Sequence, residues 1–167
     1  MNIRVGIGYD AHAFADNRPL YLGGTLIDFP RGLAGHSDAD VLIHAIIDAL
    51  LGAAGLGDIG HLFPDSSAEF KNIRSTVLLE RVSDALTAAG VRILNIDSVV
   101  VCESPKIAPH RERMKDALSR SLGGLAVSAI GIKGKTTEGL GFTGRGEGIT
   151  AHAIALVSLD GADAPPK

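Results

Sequence analysis

The sequence is poor in the residues that mark several common classes of protein. Its 167 residues include a single cysteine, Cys102, and no tryptophan, and only 4% of them are aromatic. One cysteine cannot form an internal disulfide framework, which fits a reducing compartment. A chain of this length buries about 70% of its unfolded surface without such cross-links. We therefore expect a single globular domain with a packed core.

Runs of basic residues are also lacking. The formal net charge is −3, so we expect no nucleic-acid partner. The chain enters a predicted strand at once, so we expect no signal or transit peptide. The apolar stretch 41–56 is interrupted by His44 and Asp48 and is short for a membrane span, which predicts a buried helix. We expect a cytoplasmic protein from a bacterium, without a membrane partner.

Glycine, by contrast, is abundant, and the 21 glycines predict tight turns and close backbone approaches. The first helix is expected to have Ser37 or Asp38 as its N-cap and to stop at Gly55. Loops are predicted at 31–40 and 57–65. The predicted elements, in order, are a strand at 3–10, a hairpin at 21–27 turning on Gly23 and Gly24, helices at 38–54 and 75–89, a strand at 91–102, a helix at 109–122, and strands at 127–133 and 149–159.

This order predicts an α/β (α+β) fold in one domain over residues 1–160, followed by a flexible tail at 161–167. We expect one mixed four-stranded sheet with helices on a single face, plus a small hairpin. The last two strands are expected to form a hairpin-like pair. The other face of the sheet then needs a cover, and a second copy of the chain can supply it. We therefore expect a homo-oligomer.

Three residues, Asp10, His12 and His44, form the strongest chemical signal in the chain. Asp10 and His12 lie two positions apart on a predicted strand, so their side chains point to the same face. His44 lies inside an apolar helix, where its imidazole needs a partner. Two imidazoles and one carboxylate suit Zn²⁺ and leave a fourth position open, as in catalytic sites. An Asp-x-His pair is common, however, and a buried histidine is usually only hydrogen-bonded, so both interpretations stay open here.

A polar stripe of Asp40, His44 and Asp48 recurs at every fourth position of the first predicted helix. It lacks the Lys, Glu and Arg typical of a solvated helix face. This favours His44 as a metal ligand and Asp48 as the acceptor that orients its ring. The segment 36–40 places the start of the helix where a phosphate could bind, although a simple helix cap would explain the same residues.

Two loops carry further polar residues. The loop at 57–65 holds carboxylates on rigid backbone, which fits either an ordinary turn or a grip on substrate hydroxyls. The segment 135–138, Lys-Thr-Thr-Glu, places two hydroxyls and a carboxylate at a strand end, a set that can hold a phosphate and Mg²⁺. The segment 139–148 contains five glycines but matches neither the phosphate-loop nor the dinucleotide-binding fingerprint.

These motifs together resemble the 2-C-methyl-D-erythritol 2,4-cyclodiphosphate synthase family of the non-mevalonate isoprenoid pathway. The resemblance runs in order from about residue 3 to residue 157. It rests on the segments 8–12, 22–24, 36–38, 44–53, 57–60, 63–65, 105–106 and 136–148. It implies a homotrimer of α/β subunits, with active sites between neighbouring subunits.

The resemblance also implies a reaction. The substrate would be 4-diphosphocytidyl-2-C-methyl-D-erythritol 2-phosphate, whose own 2-phosphate attacks the β-phosphorus of the diphosphate. CMP would leave and the 2,4-cyclodiphosphate would form. The enzyme would be a cyclising phosphorus–oxygen lyase with one Zn²⁺ per subunit and with Mg²⁺ or Mn²⁺ bridging the diphosphate. Because the substrate supplies the nucleophile, no Ser-His-Asp or Cys-His triad is required.

By the same resemblance, each site residue has an expected role. The expected metal ligands are Asp10, His12 and His44 for zinc and Glu138 for the second metal. The catalytic residues that stabilise the transition state are expected to be His36 and Thr136. The substrate is expected to contact Asp10, His12, His36, Ser37, Asp58, Gly60, Phe63, Pro64, Asp65, Lys106, Thr136, Thr137, Glu138, Phe142 and Arg145. The cytidine nucleotide is expected to contact Cys102, Pro105, Lys106, Ile107, Ala108, Thr136 and Thr137.

Phe142 and Arg145 match positions that line an apolar channel on the three-fold axis of the family, where an isoprenoid diphosphate is an expected ligand. Trimer packing, with the charge of Arg145 satisfied by Glu147, would explain both residues as well. The chain departs from the family pattern at Lys135, at Glu103 within 102–104, and at Ser67. The stretch 102–104 is less neutral than in the family, so local nucleotide contacts can differ.

Two other functions stay open at this stage. A zinc hydrolase would use the same three ligands to activate water, but it would need a general base near the open position. A non-catalytic trimer that binds prenyl diphosphates at Arg145 would not need Asp10, His12 and His44, so their presence argues against it.

Overall fold

The computed structural model describes residues 2–64 and 66–159, so Asp65 and the tail predicted at 161–167 lie outside the described residues. The strands are β1 (Asn2–Ala15), β2 (Leu20–Leu22), β3 (Thr25–Ile27), β4 (Gly32–Leu33), β5 (Val91–Val101), β6 (Ile130–Lys135) and β7 (Gly148–Leu159). The helices are α1 (Val41–Ala54), α2 (Ile59–Leu62), α3 (Ser75–Ala88), α4 (Arg111–Ser121) and α5 (Gly141–Gly144).

The strands form a mixed sheet in the order β4-β1-β7-β5-β6 and a separate hairpin of β2 and β3. Strand β7 is antiparallel to both β1 and β5, whereas β6 is parallel to β5. The predicted mixed sheet with a small hairpin is confirmed. Two details were wrong. The sheet has five strands rather than four, because Gly32–Leu33 pairs with the end of β1. The last two strands are not neighbours, because β7 inserts between β1 and β5.

Helix α1 packs directly on β1, and two glycines make this possible. A Cβ atom on Gly6 would lie 2.0 Å from the carbonyl oxygen of Ala49, and one on Gly8 would lie 1.9 Å from that of Ala45. No side chain fits in so narrow a gap, so glycine is required at both strand positions. This contact fixes the distance between the functional end of β1 and the middle of α1.

The start of α1 differs from the prediction. Its N-cap is Asp40 rather than Ser37 or Asp38, and the Asp40 carboxylate accepts a hydrogen bond from the Ile43 N–H at 3.1 Å. The same buried carboxylate accepts from the N–H groups of Gly23 and Gly24 in the hairpin turn. The simple helix cap is therefore present at the start of α1, with Asp40 as the capping residue, and a phosphate near this helix end stays a prediction. The helix ends before Gly55, as predicted.

Smaller differences arise where short helical turns replace predicted loop or strand. The loop at 57–65 contains α2, because Asp58 caps its first turn, and the glycine-rich segment 139–148 contains α5. A 3₁₀ turn at Val127–Ala129 delays β6, and another at Ala108–His110 precedes α4. Within 2–64 and 66–159, no helix combines the length and apolar character needed to cross a membrane.

The face of the sheet opposite α1 exposes a row of apolar side chains. On β1 this row includes Val5, which is 67% exposed, and Ile7, which is 72% exposed, and Ile154 of β7 lies on the same face. These residues alternate with Arg4, Gly6 and Gly8, which face the helix side. An exposed apolar row of this kind is a candidate interaction surface.

Candidate active site

Strand β1 and helix α1 bring Asp10, His12 and His44 together. Oδ2 of Asp10 lies 3.0 Å from Nε2 of His12 and 3.0 Å from Nδ1 of His44, and the two ring nitrogens are 3.2 Å apart. Ligands at zinc–ligand distances of 2.0–2.1 Å are about 3.3 Å apart in a tetrahedral site. The triangle therefore fits a tetrahedral metal site. The predicted convergence of these three residues is confirmed.

The carboxylate of Asp10 and the imidazoles beside it shift one another's pKa values toward the charged forms of Asp10 and His12. Burial raises the pKa of Asp10, but hydrogen bonds from His12 and His44 outweigh it, and the net pKa lies well below its ordinary value. Burial lowers the pKa of His12, but the hydrogen bond and charge of Asp10 outweigh it, so the net pKa lies above 6.5. A divalent cation would take over the position between these groups that a proton otherwise occupies.

The outer nitrogen of His44 contacts hydroxyls rather than Asp48. Nε2 of His44 lies 3.0 Å from Oγ of Ser75 and 3.2 Å from Oγ of Ser37. The prediction that Asp48 orients this ring is therefore wrong. Helical side chains lean toward the N-terminus of the helix, which directs His44 to Ser37 and Ser75. Asp48 lies one turn later, and its carboxylate accepts from the Ile59 N–H at 2.8 Å.

A cavity of about 240 Å³ opens onto the three candidate ligands. Four of its other lining residues were not expected at the site: Gly35, Ile59, Phe70 and Leu78. The predicted site residues that line it are Asp10, His12, His36, Ser37, His44, Asp48, Gly60 and Phe63. The rings of Phe63 and Phe70 meet edge to face, with centroids 5.4 Å apart. One wall of the cavity is therefore apolar and the other carries the polar groups.

Three of the predicted contacts in this region lie elsewhere or outside the described residues. Asp58 does not line the cavity, because its carboxylate accepts from the His61 N–H and caps α2. Pro64 is exposed and is likewise not part of the lining. Asp65 lies outside the described residues. An isolated apolar residue in a polar loop, as Phe70 is at 66–72, was the signal that could have identified the aromatic wall.

A second cavity, of about 150 Å³, gathers the predicted nucleotide residues. Its lining consists of Cys102, Pro105, Lys106, Ile107, Ala108, Arg111, Gly134, Lys135 and Thr136. Six of the seven predicted residues are present, and the seventh, Thr137, instead donates from Oγ1 to the Leu140 carbonyl at 2.6 Å. Arg111 was not foreseen. Burial raises the pKa of the Cys102 thiol to about 11, so Cys102 shapes the cavity as a neutral group.

The loop that follows β6 is held by Glu103. Its carboxylate accepts from the N–H groups of Thr137 and Gly139 at 3.0 and 3.3 Å. Thr136 donates from Oγ1 to Oε1 of Glu138 at 2.6 Å, so the predicted ligand for the second metal is paired within its own loop. Glu138 is exposed, with φ of 54°. Glu103, at which this chain departs from the family pattern, therefore holds the loop beside the nucleotide cavity in place.

The two cavities share no lining residue, so a single chain does not join the three candidate ligands to the nucleotide residues. Phe142 and Arg145 lie in neither cavity. Arg145 forms a bidentate ion pair with Glu147, with N–O distances of 2.7 and 3.1 Å, and Phe142 is exposed. A larger cavity of about 420 Å³ between α3, β5 and the end of α4 contains none of the predicted site residues.

Comparison with known proteins identifies close relatives. Residues 3–158 match the model of the YgbB family. The chain is 54% identical over 159 residues to the 2-C-methyl-D-erythritol 2,4-cyclodiphosphate synthase of Pelotomaculum thermopropionicum, which covers 95% of this chain and 98% of the relative.

Solved structures give the same result. A 2C-methyl-D-erythritol-2,4-cyclodiphosphate synthase in its CDP-bound form superposes with a TM-score of 0.84 and 41% identity, covering 93% of this chain and all of the other. The bifunctional IspDF from Campylobacter jejuni superposes with a TM-score of 0.89 and 43% identity. That match covers 93% of this chain but 42% of the bifunctional protein.

Proposed function

The chain belongs to the YgbB family, and we propose from this membership that it converts 4-diphosphocytidyl-2-C-methyl-D-erythritol 2-phosphate to 2-C-methyl-D-erythritol 2,4-cyclodiphosphate, releasing CMP. The name of its close relatives supports this reaction. The 2-phosphate of the substrate attacks the β-phosphorus, the bond to the CMP oxygen breaks, and an eight-membered ring closes. The observation that supports it most strongly is the convergence of Asp10, His12 and His44 on the 240 Å³ cavity.

The triangle of Asp10, His12 and His44 would hold Zn²⁺, and Glu138 would hold Mg²⁺ or Mn²⁺ on the diphosphate. When bound, such cations withdraw negative charge from the phosphate oxygens and align the groups that react. Support for zinc comes from the donor set of two imidazoles and one carboxylate and from their spacing of 3.0–3.2 Å. The exposed position of Glu138 at a strand end suits a cation that arrives with the substrate.

The residues of the first cavity would bind the erythritol and phosphate portions of the substrate. Ser37 and His36 lie on the polar wall, where a hydroxyl and an imidazole can donate to phosphate oxygens. His36 is held by a contact of 3.2 Å between its Nε2 and the carbonyl oxygen of Ser67. The aromatic wall of Phe63 and Phe70 would pack against the carbon skeleton and exclude water, which favours ring closure over hydrolysis.

The second cavity would bind the cytidine part. A chain with 41% identity was solved in a CDP-bound form, which supports a nucleotide ligand for this chain. Lys106 and Arg111 bring positive charge to this cavity, and Thr136 lies at its edge. Thr136 would contact the leaving phosphate as the transition state develops.

We further propose a homotrimer in which the nucleotide cavity of one subunit faces the metal cavity of its neighbour. Two observations support this arrangement. The cavities are separate within one chain, although the reaction needs both. The sheet also exposes the apolar row that includes Val5, Ile7 and Ile154. Burial of such apolar surface would stabilise the assembly by about 25 cal/mol per Å².

The same assembly would gather copies of Phe142 and Arg145, where an isoprenoid diphosphate could bind. An exposed aromatic side chain beside a guanidinium suits a ligand with an apolar tail and an anionic head. The ion pair with Glu147 would have to break to release Arg145 for that ligand.

A cytoplasmic location is proposed as well, supported by the single buried thiol and by the bacterial sources of the relatives.

The test is product analysis by ³¹P NMR with the purified protein, the cytidine-linked substrate and Mg²⁺, before and after removal of zinc by a chelator. We expect CMP and a cyclic diphosphate in equal amounts, lost on chelation and restored by added Zn²⁺. A linear phosphate product carrying ¹⁸O from labelled water would instead identify a hydrolase. No turnover by a folded, zinc-loaded oligomer would contradict the proposed reaction.

A further inference from the structure

A chain of hydrogen bonds runs from His44 to two residues outside the cavity. Oγ of Ser75 lies 3.0 Å from Nε2 of His44, and the Ser75 hydroxyl in turn donates to Oδ1 of Asp38. We infer that Ser75 and Asp38 are positioning residues that favour the Nε2–H tautomer of His44, in which Nδ1 gives up its hydrogen bond to Asp10 and is available to a metal. This inference rests on the metal site of the proposed function.

The direction of the chain follows from the groups available. Oδ2 of Asp38 accepts from Nε of Arg74 at 2.9 Å and from the Ser75 N–H at 3.1 Å. With an ion pair to Arg74, the Asp38 carboxylate offers only acceptors. The Ser75 hydroxyl must therefore donate to Asp38, and it turns its lone pairs toward His44. Nε2 of His44 faces a hydroxyl oxygen that can only accept a hydrogen bond, which favours a proton on this nitrogen.

Ser37 alone would not fix the tautomer. Its Oγ lies 3.2 Å from Nε2 of His44 and accepts from the Ala39 N–H, which leaves its hydroxyl proton free to turn toward the ring. Ser37 can thus accept from a protonated Nε2 or donate to a bare one. Ser75 differs because its proton is already used. Of the two hydroxyls beside Nε2, Ser75 together with Asp38 is therefore the one that favours a proton on that nitrogen.

The relay is rigid and closed to solvent. Ser75 is fully buried as the first residue of α3, and Asp38 is buried in the loop before α1. The Asp38 N–H also donates to the Ile73 carbonyl oxygen at 3.0 Å, which ties the two segments together. Arg74 stacks on the ring of Tyr21 at 3.7 Å, so the cation that pairs with Asp38 is itself held. Water cannot easily replace a hydroxyl in this position.

The test is the affinity of purified full-length variants for Zn²⁺, measured by competition with a chromophoric chelator. We expect Ser75→Ala to bind Zn²⁺ about 10- to 100-fold more weakly than the natural protein, as is usual when a partner of a ligand histidine is lost. Ser75→Thr keeps a hydroxyl and should recover most of the affinity. Asp38→Asn should weaken Zn²⁺ binding even though Ser75 is kept. The amide of asparagine can donate to Oγ of Ser75, and the Ser75 hydroxyl can then donate to Nε2 of His44 and favour the wrong tautomer.

Ser121→Ala is the matched control. Ser121 is also buried, and its hydroxyl donates to Oε1 of Glu80 at 3.3 Å, far from the metal ligands in sequence and on α4. Its loss should leave Zn²⁺ affinity unchanged. A second reading comes from the Nε2–H proton of His44 in the zinc-loaded protein, which should exchange with water faster in Ser75→Ala than in Ser121→Ala.

Unchanged Zn²⁺ affinity in both Ser75→Ala and Asp38→Asn would overturn the relay while leaving the metal site intact. An equal loss in Ser121→Ala would overturn it as well, because the effect would then reflect general stability. If Ser75→Ala does not fold, the comparison of Asp38→Asn with Ser75→Thr decides. A natural protein that binds no Zn²⁺ would overturn both the relay and the proposed metal.

Discussion

Gly8 of β1 lies so close to Ala45 of α1 that a Cβ atom on Gly8 would be 1.9 Å from the Ala45 carbonyl oxygen. Gly8 is two residues before Asp10, and Ala45 is the neighbour of His44. The contact therefore sets how far the carboxylate on the strand lies from the imidazole on the helix. The packing of the core and the geometry of the candidate metal site depend on the same pair of residues.

We expect Gly8→Ala to destabilise the protein by about 1–3 kcal/mol or more, because helix and strand must separate to admit the methyl group. The folded fraction should also bind Zn²⁺ more weakly. Gly52→Ala is the control, since no atom lies within 4 Å of a Cβ placed there on α1. That change should stabilise the helix by about 1 kcal/mol. Denaturant unfolding and zinc competition measure both effects, and an unperturbed Gly8→Ala would refute the argument.

The affinity for Zn²⁺ should rise with pH, since a proton on His12 competes with the metal. Asp10 holds the pKa of His12 above 6.5 against the effect of burial. The rise should therefore extend above pH 6.5. Asp10→Asn removes the charge, so the remaining dependence should shift to lower pH while overall affinity falls. Zinc titrations between about pH 5.5 and pH 8.5 give the result, and a flat profile would contradict it.

The metal-free protein should show a stability optimum on the acidic side of neutrality. Folding raises the pKa of His12, so the contribution of His12 to stability is complete below pH 6.5 and is lost as the pH rises through the pKa of the folded state. Folding lowers the pKa of Asp10, so the contribution of Asp10 to stability is present above pH 3.8 and is lost on acidification. Thermal melts of metal-free protein and of Asp10→Asn should differ most between these two values. Identical pH profiles would disprove this linkage.

Glu103→Ala should raise KM for the cytidine-linked substrate about 10-fold. The substitution removes the acceptor of two backbone N–H groups that hold the loop of Thr136 and Glu138, each worth about 1 kcal/mol. Glu103→Gln keeps one acceptor oxygen and should have a smaller effect. Glu112→Ala, on the exposed face of α4, serves as the matched loss of charge. Equal KM values for the variants of Glu103 and Glu112 would exclude a role for Glu103.

Ile7→Glu should separate the subunits and abolish activity together with assembly. Ile7 is 72% exposed in one chain and lies at the centre of the apolar row on the sheet. A charge buried there without a partner costs several kcal/mol. Val77→Glu, on α3 and away from the sheet, should leave assembly intact. Sedimentation velocity gives the oligomeric state, and a trimer that survives Ile7→Glu would move the interface elsewhere.

Local patterns were sufficient to predict much of the fold and the metal triangle. Alternation along β1 puts Asp10 and His12 on one face, and the apolar run after Val41 identifies α1 and hence the setting of His44. The hairpin turn on its two glycines follows from the same kind of local signal. Each of these features depends on residues close together in the sequence.

The features that sequence analysis missed depend on long-range contacts. Ser75 meets His44 across 31 positions, and nothing near Ser75 in the sequence distinguishes it from an ordinary helix start. The N-cap Asp40 was missed because its carboxylate is fixed by the distant hairpin turn. The place of β7 in the sheet follows from pairing of the whole strand, which no local pattern records. The roles taken from the family resemblance remain proposals.

The central position of β7 has a consequence for how the protein is made. Its partners on both sides, β1 and β5, precede it, and Asn2 pairs with Leu159 across almost the whole chain. A nascent chain therefore cannot complete the sheet until β7 leaves the ribosome. Until then β1 presents both its glycine face and its apolar row to solvent. Pairing of strands that are so far apart in the sequence is slow. We therefore expect the protein to be most prone to aggregation and to chaperone binding while it folds.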